Sequence, residues 1–170
     1  MTEKVLQEPY SLDAEEAVIA CCLKSSDSSV YDSVSQIINP EDFFIEKNRI
    51  LFSIVQELNK NNYPVDEITV LERVKSKGYE EQVDGYNGLQ SVVDRVDGVI
   101  SHKYYANIVR DKAIARGVIR MSRDAIESII GGSEALYTAT AMEKELSDIS
   151  DRVNTEESFS DAGLLLEEKL

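Results

Sequence analysis

The sequence has few of the residues that build metal clusters or disulfide frameworks. Its two cysteines, Cys21 and Cys22, are adjacent, and its single histidine is His102, so a zinc set of Cys and His ligands cannot be assembled. The adjacent thiols indicate small apolar fillers in a reducing compartment. The sequence also lacks an apolar run of about 18 residues and a basic-then-apolar leader. We therefore expect a cytoplasmic, metal-free protein that is not inserted in a membrane.

Turn residues and basic residues are also scarce. With 3 prolines and 8 glycines in 170 residues, a turn-dense all-β chain is disfavoured and a helical fold is favoured. The 18 Lys and Arg are outnumbered by 32 Asp and Glu, which gives a net charge of −14. This charge repels phosphate backbones, so duplex DNA is a poor candidate for the principal partner. Proteins with basic surfaces are better candidates, because charge steers association.

The sequence shows no nucleotide-binding or catalytic motif. Gly131-Gly132 is followed by Ser133 and Glu134, with no lysine to reach a phosphate, so a turn between helices is the favoured interpretation. His102 would be the only imidazole available to a nucleophile, and a surface or capping role outweighs catalysis there. We therefore expect no catalytic residue, bound cofactor or metal in this chain.

The first helix is predicted over residues 12–24. Ser11 suits the N-cap, and Asp13, Glu15 and Glu16 stand in the first turn, where carboxylates complement the helix dipole. The apolar residues that follow recur at helical spacing.

Several more short helices are predicted up to residue 98. Asn39-Pro40 is a helix start signal, and we expect Phe43 and Phe44 to be core anchors. An amphipathic helix follows over about 46–60.

Two further helices are predicted before the head of the protein ends. Asp66 can cap a helix whose apolar face holds Ile68, Leu71 and Val74. Another short helix follows the glycine-containing turn at 84–88.

Two long helices are predicted after residue 100. From Lys103 to Ile130 there is no proline and one glycine, and Gly131-Gly132 then breaks the helix. Apolar residues recur at three- and four-residue steps on both sides of this break, with Lys112 and Ser122 interrupting two positions of the first helix. Such a pattern is typical of helices packed lengthwise on a partner. These seam residues are Tyr105, Ile108, Ala115, Ile119, Ile126 and Ile129 in the first helix, and Ala135, Ala139, Met142, Leu146, Ile149 and Val153 in the second. The two helices are predicted to form an antiparallel hairpin.

Charge is segregated between the two long helices. Residues 103–123 hold six basic residues and one acid, whereas residues 134–168 hold ten acids and two basic residues. This contrast favours antiparallel pairing within the chain and equally suits two hairpins paired across a twofold axis. Exposed ion pairs contribute only about 0–1 kcal/mol each, so we expect charge to set the register and the apolar seam to supply most of the stability.

The end of the sequence is predicted to be a linker followed by a new helix. Residues 154–158 are polar, and an amphipathic segment with Leu164, Leu165 and Leu166 follows them. We interpret this segment as the start of a helix that continues in a longer parent chain. The sequence thus predicts an all-α fold with a lead-in (1–10), a head of about six short helices (11–100), a long antiparallel hairpin (101–153) and a linker with the start of a linker helix (154–170).

Four sequence blocks, in order and spacing, carry a resemblance to a known family. They are Pro-Tyr-Ser-Leu-Asp-Ala-Glu-Glu-Ala-Val at 9–18, Pro-Glu-Asp-Phe-Phe at 40–44 with Arg-Ile-Leu-Phe at 49–52, Pro-Val-Asp at 64–66 with Ile-Thr-Val at 68–70, and Tyr-Tyr-Ala-Asn-Ile-Val-Arg at 104–110 with Arg116. Together they resemble the N-terminal region of bacterial-type replicative DNA helicases, the DnaB family. The RecA-like ATPase domain of that family is absent from this sequence.

The resemblance implies the N-terminal collar of a hexameric, ATP-dependent 5′–3′ DNA helicase at the replication fork. In that family the head and hairpin dimerise, and three dimers form a collar above six motor domains. The implied partners are copies of the chain itself (dimer to hexamer), primase and a helicase loader, with single-stranded DNA held only by the full-length ring. ATP and magnesium are expected only in the missing motor domain. The implied interface comprises the seam residues with Arg116, Arg120 and Arg123. The residues implied to dock the linker helix are Leu164, Leu165 and Leu166.

Three other functions compete with this interpretation. A stand-alone regulator of the same fold could join the collar of a host helicase, and the discriminating observation is whether the gene reads through Leu170 into a Walker A loop. An independent enzyme is disfavoured because no nucleophile–base pair or metal set is visible. A helical DNA-binding dimer conflicts with the net charge of −14.

Overall fold

The computed structural model describes residues 7–167, and every regular element in that range is helical. The short helices are α1 (Leu12–Lys24), α2 (Ser29–Ser35), α3 (Glu46–Lys60), α4 (Glu67–Ser76), α5 (Glu80–Val83) and α6 (Gly85–Val93), with a 3-10 turn at Pro40–Asp42. The long helices are α7 (His102–Ile130) and α8 (Ala135–Glu167). The predicted all-α class is confirmed.

The chain divides into two compact units between Ala113 and Ile114, within α7. The sequence placed the end of the head earlier, at residue 100. Ala106 and Val109 of α7 account for the difference, because both are buried in the apolar core of the head. We call residues 7–113 the head and residues 114–167 the hairpin unit.

Helix α1 is enclosed by α2, α3 and α6. Its N-cap is Ser11, as predicted, and the Ser11 hydroxyl accepts a hydrogen bond from the amide of Ala14 at 3.3 Å. Every residue from 14 to 23 is buried. Small and apolar side chains on all sides of α1 allow neighbours to pack around it.

Glu15 stands in the first turn of α1, as predicted, and both Glu15 and Glu16 are buried. The Glu15 carboxylate accepts hydrogen bonds from the amides of Phe44 and Ile45, at 2.9 and 3.2 Å, and from the side chain of Asn48 at 3.1 Å. Ile45 is the N-cap of α3 and has no side-chain cap of its own, so Glu15 satisfies the amide donors at that helix start.

Glu16 joins two basic side chains from other parts of the head. Its carboxylate accepts from Lys47 of α3 at 3.0 Å and from Nε of Arg95 at 2.8 Å. Arg95 also contacts Asp13 at 3.2 Å. Pairing with two cations compensates for the burial of this charge, which would otherwise be costly.

The aromatic core of the head is built around Phe52. Its ring lies 4.8 Å from that of Phe43 and 6.1 Å from that of Tyr31. The prediction that Phe43 is a core residue is correct, whereas Phe44 is 37% exposed and stacks on Tyr10 at 4.7 Å. Adjacent residues at the end of the 3-10 turn point in different directions, so only one of the two phenylalanines can enter the core.

Helix α4 begins where Asp66 predicts, and the Asp66 carboxylate accepts from the amide of Thr69 at 2.8 Å. Its buried residues are Val70 and Val74, whereas Ile68 is 77% exposed. The prediction that Ile68 belongs to the apolar face is therefore wrong. Residues 70 and 74 are one helical turn apart and fix the face that packs on the core, which leaves position 68 outside it.

The turn predicted at 84–88 is a junction between two helices, α5 and α6. Asp84 and Gly85 have positive φ values of 57° and 49°, and α6 begins at Gly85 itself. A Cβ placed on Gly88 would lie 1.8 Å from the carbonyl oxygen of Val83. Glycine at position 88 is therefore required for α6 to pass this close to the end of α5.

The segment between α6 and α7 accepts two hydrogen bonds from side chains of α1. The carbonyl of Val96 accepts a hydrogen bond from Lys24, and the carbonyl of Gly98 accepts one from the Cys21 thiol at 3.5 Å. At the start of α7, Nδ1 of His102 donates to the carbonyl of Val99 at 2.6 Å. Because a side chain that donates to a carbonyl does not cap the free amides of a helix start, the capping role predicted for His102 stays a prediction.

The buried thiols predict a loss of stability in alkali. Burial raises the pKa of Cys21 from 9.0 to about 11, partly opposed by Lys24, and burial also raises the pKa of Cys22. A thiol whose pKa is higher in the folded protein than in the unfolded chain stabilises the fold below the unfolded pKa. This stabilisation is lost as the pH rises through the pKa of the folded protein. We expect urea unfolding to show the wild-type chain losing more stability between pH 9 and 11 than Cys21→Ala/Cys22→Ala. Equal losses in the two proteins would contradict this.

Helix α8 continues through residues 154–158, where the sequence predicted a linker. These five residues include neither proline nor glycine, and polar residues alone do not end a helix. The side chains of Val153, Leu164, Leu165 and Leu166 lie outside the described part of the structure, so their predicted roles stay predictions.

Candidate partner-binding hairpin

The end of α7 and the start of α8 form the antiparallel hairpin that the sequence predicts. Gly132 turns the chain with a φ of 92°, a value that favours glycine. Close to the turn, the hydroxyls of Ser128 and Thr138 lie 3.3 Å apart. Further away, a Cβ on Gly117 would lie 3.6 Å from Cδ1 of Ile149. Residues earlier in α7 thus face residues later in α8.

The face of α7 that meets α8 differs from the predicted seam. It holds Gly117, Met121, Ala125 and Ser128, which share one face at steps of three and four residues. Met121 is 4% exposed. Small residues at the other three positions let the two helices approach closely. The seam residues of α7 therefore have the predicted period, but their partner is not α8 of the same hairpin.

The outer seam of α7 is uncovered in the single chain. Ile126 is 59% exposed and Ile129 is 45% exposed, and Val118 beside them is also exposed. Ala115 and Ile119 are half-buried. Exposed apolar residues in a row, rather than singly, mark an interaction surface on a soluble protein.

The predicted seam of α8 is divided between two faces. Met142 and Ile149 are half-buried toward α7, together with Thr138, which the sequence did not indicate. Ala135, Ala139 and Leu146 are exposed, Leu146 at 46%. Thr138 escaped prediction because a polar residue breaks the apolar pattern, although its hydroxyl is satisfied by Ser128.

The remaining predicted interface residues lie in different environments. Tyr105 and Ile108 pack against the core of the head. Arg116 is half-buried, and Arg120 and Arg123 are exposed. The structure thus leaves Ile126, Ile129 and Leu146 exposed in the single chain and places Tyr105 and Ile108 in the packing of the head.

A groove of about 470 Å³ runs between α7 and α8. Met121, Ala125, Ala141 and Met142 give it an apolar floor. Charged residues also line it, three acids and one base, and these are Asp124, Glu145, Asp148 and Lys144. Val118 and the exposed seam residues Ile126 and Ile129 do not line the groove, and Leu146 lies at its edge, one helical turn from Met142. The hairpin unit therefore presents an apolar outer face and an acidic groove.

Metal binding and membrane insertion have no structural support within the described residues. No three His, Cys, Asp or Glu side chains of that part of the chain are grouped to hold a metal ion. None of its helices is both long enough and apolar enough to cross a bilayer. The chemistry that the hairpin offers is the association of protein surfaces.

Comparison with known proteins agrees with this arrangement. The model of the DnaB-like helicase N-terminal domain family matches residues 7–111. The replicative DNA helicase DnaB of Pasteurella multocida is 30% identical over 151 residues, which cover 88% of this chain and 30% of that protein. DnaB of Haemophilus influenzae is 29% identical over 127 residues, covering 75% of this chain and 27% of that protein. The chain spans less than a third of the length of these relatives.

Two solved structures share the fold. The N-terminal domain of DnaB helicase from Mycobacterium tuberculosis superposes with a TM-score of 0.77 at 22% identity, over 84% of this chain and 99% of that one. The structure of a DnaB-like replicative helicase and its interactions with primase gives a TM-score of 0.65 at 21% identity, over 82% of this chain and 30% of that one. Since the family match covers more than half of the sequence, the chain belongs to the family of DnaB-like helicase N-terminal domains.

Proposed function

We propose that this chain is a collar domain, which self-associates through the outer face of its hairpin and offers a docking surface to primase. The observation that carries the proposal is the row of exposed apolar residues on that face. Ile126 and Leu146 are 59% and 46% exposed in the single chain, and burial of both on a second copy is favourable.

A second hairpin is the partner that best fits this face. A twofold interface joins the same surface on both subunits, so an apolar face on one copy meets an equivalent face on the other. The exposed Arg120 and Arg123 of α7 would lie near the acidic α8 of the partner copy. Complementary charge across an interface determines the register of the two copies and their association rate more than their affinity. The apolar residues therefore supply most of the stability of the dimer.

The parent protein in this proposal is a ring-shaped, ATP-dependent DNA helicase. Three dimers of the collar would sit above six motor domains, which bind ATP and magnesium and grip single-stranded DNA. The collar itself, with a net charge of −14, would repel a phosphate backbone rather than hold it. A helicase loader would engage this region or the helix that follows it.

Two properties of the chain support primase docking: its net negative charge and an exposed aromatic side chain. The acidic chain attracts partners with basic surfaces. The helicase compared above was solved with its interactions with primase. Tyr104 is 67% exposed on the part of α7 that belongs to the head, where an aromatic side chain makes an effective contact with a protein partner.

We expect Tyr104→Ala to weaken binding of the primase from the same organism by about tenfold, measured by biolayer interferometry. The matched control is Tyr63→Ala, because Tyr63 is 55% exposed and also lies in the head. Unchanged affinity in the first variant, or an equal loss in the control, would argue against docking on α7.

A further inference from the structure

The acidic groove of the hairpin unit is a surface that the proposed self-association does not use. It lies between α7 and α8 of one chain, and none of the exposed seam residues lines it. A second copy packed on the outer face through Ile126 and Ile129 of α7 would leave the groove open. A surface of this kind is available to a different partner while the chain is assembled.

The floor of the groove fits an apolar side chain. Met121 and Met142 lie across from each other on the two helices, with alanines beside them. Methionine is flexible and polarizable, so it adapts to apolar side chains of different shapes. A volume of about 470 Å³ is within the range of sites that bind small apolar groups, and it has room for one or two aliphatic side chains.

The rim of the groove selects for positive charge. Asp124, Glu145 and Asp148 line it against the single cation Lys144. Nucleic acids and anionic lipid surfaces carry phosphates, and this rim would repel them. A peptide segment with lysine or arginine next to its apolar residues would instead be attracted.

We propose that this groove binds a short amphipathic segment of a protein partner, with its apolar side chains on Met121 and Met142 and its basic side chains against Asp124 and Asp148. The proposal deepens the docking role argued above, since it names a second surface and the chemistry of what binds there. It rests on that role and requires that the self-associated chain leave the groove uncovered.

The three methionines of the chain provide a direct test. In protein labelled with ¹³C at the methionine methyls, two of the three signals come from the groove, and Met121→Leu and Met142→Leu assign them. The probe is a short helical peptide of leucine and lysine, added to the full chain. We expect the signals of Met121 and Met142 to shift progressively and that of Met1 to stay in place.

The charge of the rim is tested with a matched pair of variants. Asp124→Lys/Asp148→Lys is expected to weaken peptide binding by about tenfold. Glu80→Lys/Glu81→Lys makes the same change in net charge at exposed positions of α5 and is expected to bind like the wild type. A peptide of leucine and glutamate with the same apolar pattern is expected to leave both groove signals in place.

Three results would overturn the groove proposal. These are no shift of either groove methionine, an equal shift with the leucine–glutamate peptide, and an equal loss of binding in the two charge variants. The native mass of the same samples shows which of the two proposals has failed. A chain that self-associates but does not bind the peptide contradicts only the groove proposal. A chain that binds the lysine peptide but does not self-associate contradicts only the collar.

Discussion

Replacing Ile126 and Leu146 by aspartate is expected to convert the associated chain to a monomer with its helices intact. Both side chains are exposed in the single chain, so the substitutions remove no packing within the hairpin. In a twofold dimer each change occurs twice, and four carboxylates would be forced into an apolar interface. The loss of apolar burial together with the cost of burying charge is expected to weaken dimerisation at least about a thousandfold.

The choice of residues in this test follows from the structure. Ile149, a seam residue in the sequence, faces Gly117 of the same hairpin, so its replacement would disturb folding as well as association. The matched control is Ile68→Asp/Ile100→Asp, because these isoleucines are 77% and 95% exposed and lie in the head rather than in the hairpin unit. Sedimentation velocity measures the mass and circular dichroism the helix content. A helical Ile126→Asp/Leu146→Asp variant that stays associated would show that another surface joins the copies.

Gly88→Ala is expected to destabilise the head strongly, although it adds only one methyl group. The added methyl would lie 1.8 Å from the carbonyl oxygen of Val83 and 2.9 Å from Cβ of Asp84. The first of these neighbours is backbone, so α5 and α6 must move apart, and Leu89 and Val92 would lose part of their burial. We expect a loss of about 3 kcal/mol, which is a large fraction of the stability of a small domain. The thermal midpoint would fall by roughly 10 °C or more.

Gly98→Ala provides the control for the effect of a methyl group alone. A Cβ at Gly98 meets no atom within 4 Å, and its φ is not in the left-handed region. Its stability is expected to match or slightly exceed that of the wild type, since alanine lowers the entropy of the unfolded chain. Equal thermal midpoints for Gly88→Ala and Gly98→Ala would mean that the α5–α6 junction tolerates a side chain.

Local signals in the sequence predicted the short helices well. Ser11 and Asp66 cap the helices that they were expected to cap, and α1 has the predicted bounds. Gly131-Gly132 ends α7 where the prediction placed the break. Caps and glycine turns act over a few residues, so the sequence holds all the information that they need.

Sequence patterns do not reveal contacts with distant partners. Glu15 stands in the first turn of its own helix, as predicted, and it also accepts hydrogen bonds from amides at the start of α3, thirty residues later. No periodicity in α1 could reveal that role, because the donors are the amides of Phe44 and Ile45.

In the hairpin too, the sequence did not show which partner a helix face contacts. The apolar period of α7 indicated a lengthwise partner, and the face that meets α8 holds Gly117, Ala125 and Ser128 instead. An apolar repeat records that a surface is buried but not whether the burial is within one chain or between two. That distinction is the reason for assigning the outer seam to a second copy.

The measurement that tests the central proposal most directly is the native mass of this chain over a series of concentrations, by sedimentation equilibrium. The collar account predicts a dimer that grows toward a hexamer as the concentration rises, and it predicts that Ile126→Asp/Leu146→Asp abolishes this growth. A wild-type chain that remains strictly monomeric at the highest concentration would contradict the account, because the exposed outer face of the hairpin would then not drive self-association.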